Sequence, residues 1–387
     1  MRAMTERILV VGGGIAGLSC AAFLAPHAQV TLVEAEPILT YHTTGRSAAL
    51  YTECFGDDAL FRVAAASRSF LVDRAEPFGK VRPLLFVGPP EDAVALDDLE
   101  ALYRSKVPGL ERIDAEAVNA LFPVVPPQRA AGGLVEPGAM DLDVHALVTE
   151  YAGLIRRSGG SIRMRARFAG VRKLDSGWEA QIDDEALEVD LVVNASGAWG
   201  NEVARGAGID ALPLEPLKRS AFTFDPGGDA HGWPFVIDVL ERWYVKPEGA
   251  FALGSAASEI PSTPHDARPD EIDVALGIER ITNATTLEIR SVKTQWAGLR
   301  TFTPDRRPAI GFEPGSDSFF WLVGQGGAGV LTSPAVGALA ASLARGARLP
   351  EFLADAGVEP LAFDPARFRT PGTATSHPPA QPAIHRP

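Results

Sequence analysis

The first hydrophobic positions of the chain predict a strand, a helix and a second strand. Residues 8–11, Ile-Leu-Val-Val, form a short apolar run that stops at glycines, as a fully buried parallel strand does. Residues 15–24 are small and apolar and precede Pro26, which favours a buried helix. Residues 30–33 form a second apolar run that ends at Glu34. The chain therefore opens with a βαβ unit.

Helical and strand-like patterns continue through the middle of the chain. Residues 141–158 repeat apolar positions at helical spacing, with Asp141 as the expected N-cap and Gly159 just beyond the last turn. Residues 187–193 are a buried strand that leads into Asn194-Ala-Ser-Gly197. Both patterns are typical of an α/β protein.

From about residue 216 the pattern changes to short apolar segments separated by Pro and Gly, which favours antiparallel strands. The predicted strands cover residues 218–224, 235–239, 243–246 and 251–254. After them we expect a helix over 270–282, one long strand over 286–301, a buried strand over 319–323 and a helix over 333–343. An antiparallel layer therefore interrupts the α/β chain.

Composition and charge exclude several classes of protein. Of the 387 residues 46% are hydrophobic and 22% are charged, which suits a packed core. The formal charge of −13 argues against a nucleic-acid partner, and Cys20 and Cys54 suggest neither a metal site nor a disulfide framework. We find no signal peptide and no apolar run long enough to span a bilayer. A cytoplasmic protein is expected, with peripheral membrane association left open.

The turn after the first strand fits the dinucleotide-binding fingerprint G-x-G-x-x-G. Gly12 permits the tight turn, Gly14 lets a pyrophosphate approach the backbone, and Gly17 lets the helix pack closely on the strand. Glu34 lies 20 residues after Gly14, where a carboxylate can accept hydrogen bonds from ribose hydroxyls. The alternative is a structural turn without a ligand, which the strand–turn–helix context disfavours.

FAD and NAD share this fingerprint, and the order of the elements favours FAD. An NAD dehydrogenase completes its nucleotide fold first, whereas this chain leaves the sheet after two strands and returns only near residue 187. The predicted fold is α/β (α+β), with a discontinuous Rossmann-like FAD-binding domain and an antiparallel-sheet substrate domain. The expected boundaries are 1–80, 141–215 and 301–368 for the first domain, 81–140 and 216–300 for the second, and 369–387 for a mobile tail.

Several motifs in one order carry a family resemblance. They are Gly12 to Gly17, Tyr41-His-Thr-Thr-Gly-Arg-Ser-Ala-Ala49, Asn194-Ala-Ser-Gly-Ala-Trp199, Lys218-Arg-Ser-Ala-Phe222, Trp296-Ala-Gly-Leu-Arg300, Thr303-Pro-Asp305 with Pro308-Ala-Ile-Gly311, and Gly324-Gln-Gly-Gly327. Over residues 7–368 the chain resembles the FAD-dependent D-amino-acid oxidase, glycine oxidase and sarcosine oxidase superfamily, and within it most resembles the bacterial D-arginine dehydrogenases.

The resemblance implies a set of residues that contact FAD. They are Gly12, Gly14, Ile15, Ala16, Gly17, Glu34, Ala35, Thr44, Gly45, Arg46, Ser47, Ala48, Ala195, Ser196, Gly197, Trp199, Gly298, Arg300, Gly326, Gly327, Ala328, Gly329 and Val330. Arg46 has the alternative of a surface cation, and the late glycines that of a plain tight turn. The flavin is expected to be bound non-covalently, with His42 as the residual attachment candidate, and no metal is expected.

The resemblance also implies a carboxylate-binding substrate site. Arg300 is placed as the carboxylate clamp, Arg219 as a second arginine and Tyr244 as a hydroxyl that reaches the substrate. Arg219 has the alternative of an ion pair at the sheet edge, and Tyr244 that of a core aromatic residue.

Two departures from the D-arginine dehydrogenase pattern bear on the substrate. Leu50 and Phe55 stand where that pattern has polar pocket residues, and the stretch after Pro83 offers no match for its acidic residue. An apolar wall cannot pair a buried guanidinium, so a neutral or apolar substrate is favoured. Glu53 and Glu241 are acidic residues whose position the sequence leaves open.

The predicted reaction is FAD-dependent oxidative deamination of a D-amino acid to a 2-oxo acid and ammonia, by hydride transfer to flavin N5. Oxidation of an N-alkyl amino acid or of a 2-hydroxy acid is the alternative. A redox-silent FAD-binding structural or maturation protein is the alternative from outside the enzymes. The electron acceptor, oxygen or a quinone, is left open.

Overall fold

The computed structural model describes residues 6–174 and 177–369. In chain order its strands β1 to β21 are Arg7–Val11, Gln29–Glu34, Leu50–Tyr51, Gly79–Val81, Leu84–Val87, Glu111–Ile113, Gly133–Glu136, Met140–Leu142, Ser161–Met164, Phe168–Lys173, Trp178–Ile182, Glu185–Val189, Leu191–Asn194, Glu215–Phe224, Phe235–Asp238, Tyr244–Glu248, Phe251–Ser255, Ile260–Pro261, Val292–Phe302, Ala309–Phe312 and Phe319–Val323. Its helices α1 to α9 are Ile15–Leu24, Asp58–Leu71, Ala93–Tyr103, Ala115–Leu121, Val144–Arg157, Gly200–Gly206, Glu271–Ala284, Ser333–Ala344 and Glu351–Asp355.

The first sheet has six strands in the order β20-β21-β13-β1-β2-β9. All neighbours are parallel except β20 and β21, which pair antiparallel at one edge. β1 and β21 are almost wholly buried, as expected for strands covered on both faces. Helices α1, α5 and α8 pack together on this sheet, and α1 lies against both of the others. The predicted Rossmann-like layer is therefore present.

The second large sheet has nine strands, in the order β18-β14-β17-β16-β15-β5-β7-β6, with β19 paired to β14. The long pair β14–β19 runs in register from Glu215 opposite Phe302 to Phe224 opposite Val292. The expectation of an antiparallel sheet holds for most pairs and is wrong for one, since β5 and β15 are parallel. The reason is that β5, from the first half of the chain, enters the sheet without a hairpin to β15, so nothing forces an antiparallel pairing.

Two smaller sheets complete the fold, and one of them corrects the helix prediction for residues 141–158. Sheet β3-β8-β4 contains Asp141, which is a strand residue that forms an ion pair with Arg82. The helix α5 begins three residues later, and Asp143 caps it by accepting a hydrogen bond from the Ala146 N–H at 2.9 Å. Asp141 was the wrong cap because a tertiary ion pair holds it in the strand.

Two predicted strands have different bounds in the structure. The run 187–193 is two strands, because Asp190 leaves the ladder to bind Arg7, with 2.8 Å between Asp190 Oδ1 and Arg7 Nη2. The residues before this break belong to the small sheet β10-β11-β12. The long strand begins at Val292 rather than 286, since the Thr286 N–H donates to the Val124 carbonyl at 2.7 Å.

The predicted tail is only partly described. Arg369 donates to Glu313 Oε2 at 2.8 Å, and residues 370–387 lie outside the described residues.

Across the described part of the chain no helix is long and apolar enough to cross a membrane. Elsewhere the fold class agrees with the sequence-based expectation: a mixed α/β molecule with a parallel nucleotide-type sheet and a second, mainly antiparallel sheet.

Candidate functional site

A cavity of about 490 Å³ runs from the carboxyl ends of β1, β2 and β13 to the face of the nine-stranded sheet. The predicted residues that line it are Gly12, Gly14, Ile15, Ala16, Glu34, Ala35, Thr44, Arg46, Ser47, Ala48, Leu50, Phe55, Ala195, Ser196, Gly197, Trp199, Arg219, Tyr244, Gly298, Arg300, Gly326, Gly327, Gly329 and Val330. Ligands of open α/β sheets bind at this edge, beyond the carboxyl ends of the strands.

Glycines close the nucleotide end of the cavity. Gly12 has a φ of +113°, and a Cβ there would come within 2.5 Å of the Ala195 carbonyl oxygen. A Cβ on Gly17 would overlap the Gly12 carbonyl, so Gly17 lies behind the cavity wall and lets α1 pack on the turn. Gly14 instead faces open space, with Thr44 Oγ1 as the nearest atom at 3.6 Å from a built Cβ. The arrangement leaves room for a ligand at Gly14.

The N-terminus of α1 suits an anion at this point. The N-cap residue of α1 is Gly14, which has no side chain to cap the helix, and no acidic residue occupies the first turn. Thr44 Oγ1 accepts a hydrogen bond from the Ile15 N–H at 3.1 Å, which ties the 44–46 turn to the helix. The positive end of a ten-residue helix that carries no acidic residue in its first turn suits phosphate groups.

Glu34 is held in place by backbone donors. Its Oε2 accepts from the Gly13 N–H at 2.7 Å and its Oε1 from the Glu36 N–H at 2.8 Å. A carboxylate offers about four acceptor positions, so two remain for ribose hydroxyls. The structure therefore presents a fixed acceptor where the fingerprint requires one.

The segment 43–49 lies along the middle of the cavity and is tied to β19. Thr43 Oγ1 donates to the Leu299 carbonyl at 2.7 Å, and Trp296 Nε1 donates to the Arg46 carbonyl at 3.1 Å. The Arg46 guanidinium donates to the carbonyls of Ala267 and Ala297 and pairs with Asp266. Its charge is thus balanced by the protein rather than left on the surface.

Two other residues of the middle region, Gly45 and His42, differ in whether they line the cavity. Gly45 packs against the Thr40 carbonyl and does not line the cavity. His42 does line it; its Nε2 lies 3.0 Å from Glu36 Oε1, and its ring is 4.6 Å from that of Trp199. These contacts favour a hydrogen-bonding role for His42.

The turn 324–331 closes the cavity beside the long strand β19. Gly326 has a φ of +52°, and a Cβ there would overlap the Phe302 ring. A Cβ on Gly327 would overlap the Arg300 guanidinium, so glycine permits that side chain to lie flat against the turn. Ala328 is 2% exposed and lies behind the lining, where its carbonyl accepts from Thr332.

Arg300 and Arg219 both line the end of the cavity away from the nucleotide turn. Arg300 Nη1 is buried and has no hydrogen-bond partner within the described residues. Burial and the neighbouring Arg219 lower the pKa of Arg300 to about 9, and Glu241, Glu259 and Tyr244 act in the opposite direction. The guanidinium stays protonated at neutral pH, so its charge is undercompensated. An anion in the cavity would compensate the remaining positive charge.

The walls around the two arginines are largely apolar. They are formed by Leu50, Phe55, Phe86, Phe235 and Ile237, with Tyr244 beside Phe235 at 5.4 Å between ring centroids.

Glu241 and Glu53, whose positions the sequence leaves open, differ in whether they line the cavity. Glu241 lines the cavity from the turn between β15 and β16, with a φ of +53°. Glu53 is buried and paired with Arg68 at 2.8 Å, outside the lining.

Sequence reasoning missed several parts of the lining, among them residues 166–169 and Gln325. Residues 166–169, which follow β9, line the nucleotide end, and no motif marks them. Gln325 lies within the glycine motif 324–327, yet it was not singled out; its Nε2 is buried without a partner in the described structure. An amide between glycines that need close packing was the available signal for Gln325.

The cradle fits a dinucleotide with an attached redox ring. The open space at Gly14, the N-terminus of α1 and the fixed Glu34 suit the nucleotide, and Arg219, Arg300 and Gln325 line the other end. No cluster of His, Cys, Asp and Glu within 6–174 and 177–369 suits a metal ion. Fold and site together define a Rossmann-like flavin oxidoreductase.

The chain belongs to the DAO family of FAD-dependent oxidoreductases, whose family model matches residues 7–343. FAD is its cofactor, as predicted. The sequence is 26% identical over 387 residues to the glycine oxidase of Pseudomonas putida, with 95% of this chain and 99% of that protein covered. It is 24% identical over 420 residues to FAD-dependent oxidoreductase domain-containing protein 1 of Xenopus laevis, covering 94% and 82%.

A solved structure shares the whole fold. L-proline dehydrogenase from P. horikoshii superposes with a TM-score of 0.81 at 24% identity, covering 94% of this chain and 98% of that one. The particular similarity to D-arginine dehydrogenases stays a prediction.

Proposed function

We propose that the protein oxidises the Cα–N bond of a neutral or apolar D-amino acid to the imino acid, which water hydrolyses to a 2-oxo acid and ammonia. The observation that carries the proposal is the guanidinium group of Arg300, a charged donor that lines an apolar-walled cavity beside Arg219. A carboxylate suits that donor because a charge-assisted bond to guanidinium is about twice as strong as a neutral one. Bound FAD supplies the acceptor for the hydride from Cα.

The protein's own contribution in this proposal is orientation. Arg300 and Arg219 bind the substrate carboxylate, and Tyr244 lies on the neighbouring wall. Fixing one end of a small substrate in this way restricts which Cα bond faces the flavin, and such positioning lowers the barrier substantially. FAD is proposed to be held non-covalently, so that heat or acid releases it.

The choice of side chain rests on the apolar walls. Burial of each CH₂ group against residues such as Leu50, Phe55 and Phe86 contributes about 0.8 kcal/mol. Glu241 is the lining carboxylate that would favour a basic side chain instead. It belongs to an exposed turn, where water screens its attraction for a cation. We therefore rank neutral substrates first.

A small or N-alkyl amino acid is the second candidate. It is favoured by the resemblance to proteins named glycine oxidase and L-proline dehydrogenase. The same carboxylate clamp serves both candidates, and it would also hold a 2-hydroxy acid. Product identity therefore decides among them.

The test is an anaerobic substrate panel read by loss of the oxidised flavin absorbance. We expect D-alanine, D-leucine, D-phenylalanine or D-proline to exceed D-arginine and D-lysine in kcat/KM, and ammonia to accompany the 2-oxo acid. Glycine, sarcosine, L-proline and D-lactate test the other candidates. D-arginine or D-lysine ahead by tenfold or more would overturn the apolar pocket, and bleaching by dithionite alone would overturn the enzyme. Repeating the panel in air and with a quinone identifies the acceptor.

A matched double variant tests the walls themselves. Leu50→His with Phe55→Tyr makes two lining positions polar without touching the arginines. We expect the ranking to shift toward polar substrates at unchanged FAD content. An unchanged ranking would show that these two side chains do not contact the substrate.

A further inference from the structure

A buried carboxylate lies behind the two arginines of the substrate end. Glu259 precedes the short strand β18, and its side chain is 13% exposed. Its Oε1 is 2.6 Å from Arg306 Nη2 and its Oε2 is 3.0 Å from Arg306 Nη1, a two-bond pairing. The same Oε1 lies 3.5 Å from Arg219 Nη2 and 3.8 Å from Arg300 Nη1. One carboxylate oxygen thus faces three guanidinium groups.

Of these three arginines, two line the cavity and the third does not. Arg219 and Arg300 line the cavity, whereas Arg306 lies with its guanidinium carbon 3.9 Å from the centroid of the Phe302 ring. Phe302 in turn packs where a Cβ of Gly326 would be. Arg306 therefore forms the closest pairing with Glu259, and the shared oxygen Oε1 links this pair to the two lining arginines.

The electrostatics require an anion at this place. Arg219 is the neighbour whose charge lowers the pKa of Arg300, so the two lining cations repel each other. Burial raises the pKa of Glu259, but Arg306, Arg219 and Arg300 outweigh it and hold the pKa below its usual value. Glu259 is therefore ionised at neutral pH and offsets part of that repulsion.

Arg219 has a second support that fixes its direction. Its Nε donates to the Ser258 carbonyl at 3.0 Å, next to Glu259 in the chain. Residues 258 and 259 thus grip the Nε and Nη2 edge of the guanidinium together. This grip defines which edge of Arg219 remains for a ligand.

We propose that Glu259 is the positioning residue of the substrate-carboxylate site, and that it holds Arg219 and Arg300 side by side for one carboxylate. The assignment deepens the proposed function and rests on it. Glu259 fixes the positions of the two arginines. It also weakens their attraction for the substrate carboxylate, because its own negative charge repels that anion.

Glu259→Gln should therefore slow flavin reduction without weakening the binding of a carboxylate. The variant keeps the shape and one acceptor oxygen but removes the charge. We expect the limiting rate of anaerobic flavin reduction by the best panel substrate to fall about 10- to 100-fold, since small misplacements at the reacting centre have effects of this size. We expect binding of benzoate, a carboxylate probe that is not oxidised, to stay equal or tighten by up to about tenfold, because a repulsive charge is gone.

The experiment measures both quantities on holoenzyme, with benzoate binding followed by calorimetry and benzamide as the uncharged probe. Glu188→Gln is the matched control, since Glu188 is an exposed partner of Arg7 on the small sheet. Slower reduction without weaker benzoate binding supports the proposal. Unchanged reduction, or slower reduction with weaker benzoate binding, overturns it and leaves a scaffold role.

Two further measurements decide the proposal if Glu259→Gln loses FAD or if no amino acid reduces the flavin. If Glu259→Gln fails to retain FAD, Glu259→Asp keeps the charge at a shorter reach and should slow reduction with benzoate binding unchanged. Equal reduction rates in that variant and the wild type would then overturn the proposal.

If no amino acid reduces the wild-type flavin, the proposed function has failed. The benzoate measurement still tests Glu259 by itself, because weaker benzoate binding in Glu259→Gln overturns its assignment.

Discussion

Replacing Arg300 by alanine tests the carboxylate site most directly. The substitution removes a cation that lines the cavity, rests against Gly327 and has Glu259 Oε1 3.8 Å from its Nη1. Arg219 and Arg306 keep Glu259 as their partner, so the neighbouring charges stay compensated. We therefore expect a folded, FAD-containing protein with a damaged substrate site.

The magnitude follows from the hydrogen bonds that a bidentate guanidinium can form. Each bond to a charged partner contributes about 1.5–3 kcal/mol, so loss of two costs at least about 3 kcal/mol. This corresponds to a decrease of about 150-fold in kcat/KM. Arg300→Lys should recover only part of the loss, because an ammonium keeps the charge and lacks the planar fork.

The assay is steady-state kcat/KM on the preferred amino acid, with FAD content and thermal stability measured in parallel. Arg290→Ala is the matched control, because Arg290 is 85% exposed and pairs only with exposed Glu288 among the described residues. Near-wild-type kinetics of Arg300→Ala on every carboxylate substrate would refute the reasoning and place the clamp elsewhere.

Two further predictions concern the nucleotide end. Glu34→Ala should weaken FAD binding by about 1–3 kcal/mol through loss of hydrogen bonds to a charged acceptor, and an unchanged FAD dissociation constant would show that Glu34 does not bind the ribose. Gly14→Ala should fold normally, since Thr44 Oγ1 is 3.6 Å from the added Cβ, but should lose FAD. Gly17→Ala should lower the free energy of unfolding by about 1–3 kcal/mol, because its Cβ overlaps the Gly12 carbonyl. Denaturant titrations and FAD titrations of both variants check the contrast, which equal behaviour would contradict.

Local patterns predicted much of the fold because they report burial and backbone requirements directly. The run 8–11 became β1, the run 15–24 became α1 with the same bounds, and 319–323 became β21. The boundaries failed where a distant partner intervened. Asp141 is held in a strand by Arg82, and Asp190 leaves its strand to bind Arg7. Such ion pairs join residues far apart in sequence and leave no local periodicity.

The sequence, with the family resemblance that its motifs carry, predicted the nucleotide-binding turn, the FAD class and two arginines that line the cavity. These depend on short motifs whose residue types are dictated by close packing, phosphate charge and carboxylate geometry. Only the tertiary structure decided that Glu241 lines the cavity while Glu53 pairs with Arg68, and that Glu259 stands between three guanidinium groups. A carboxylate looks the same in every surface turn, and its role depends on which charges from other strands surround it. That arrangement exists only once the sheets have assembled.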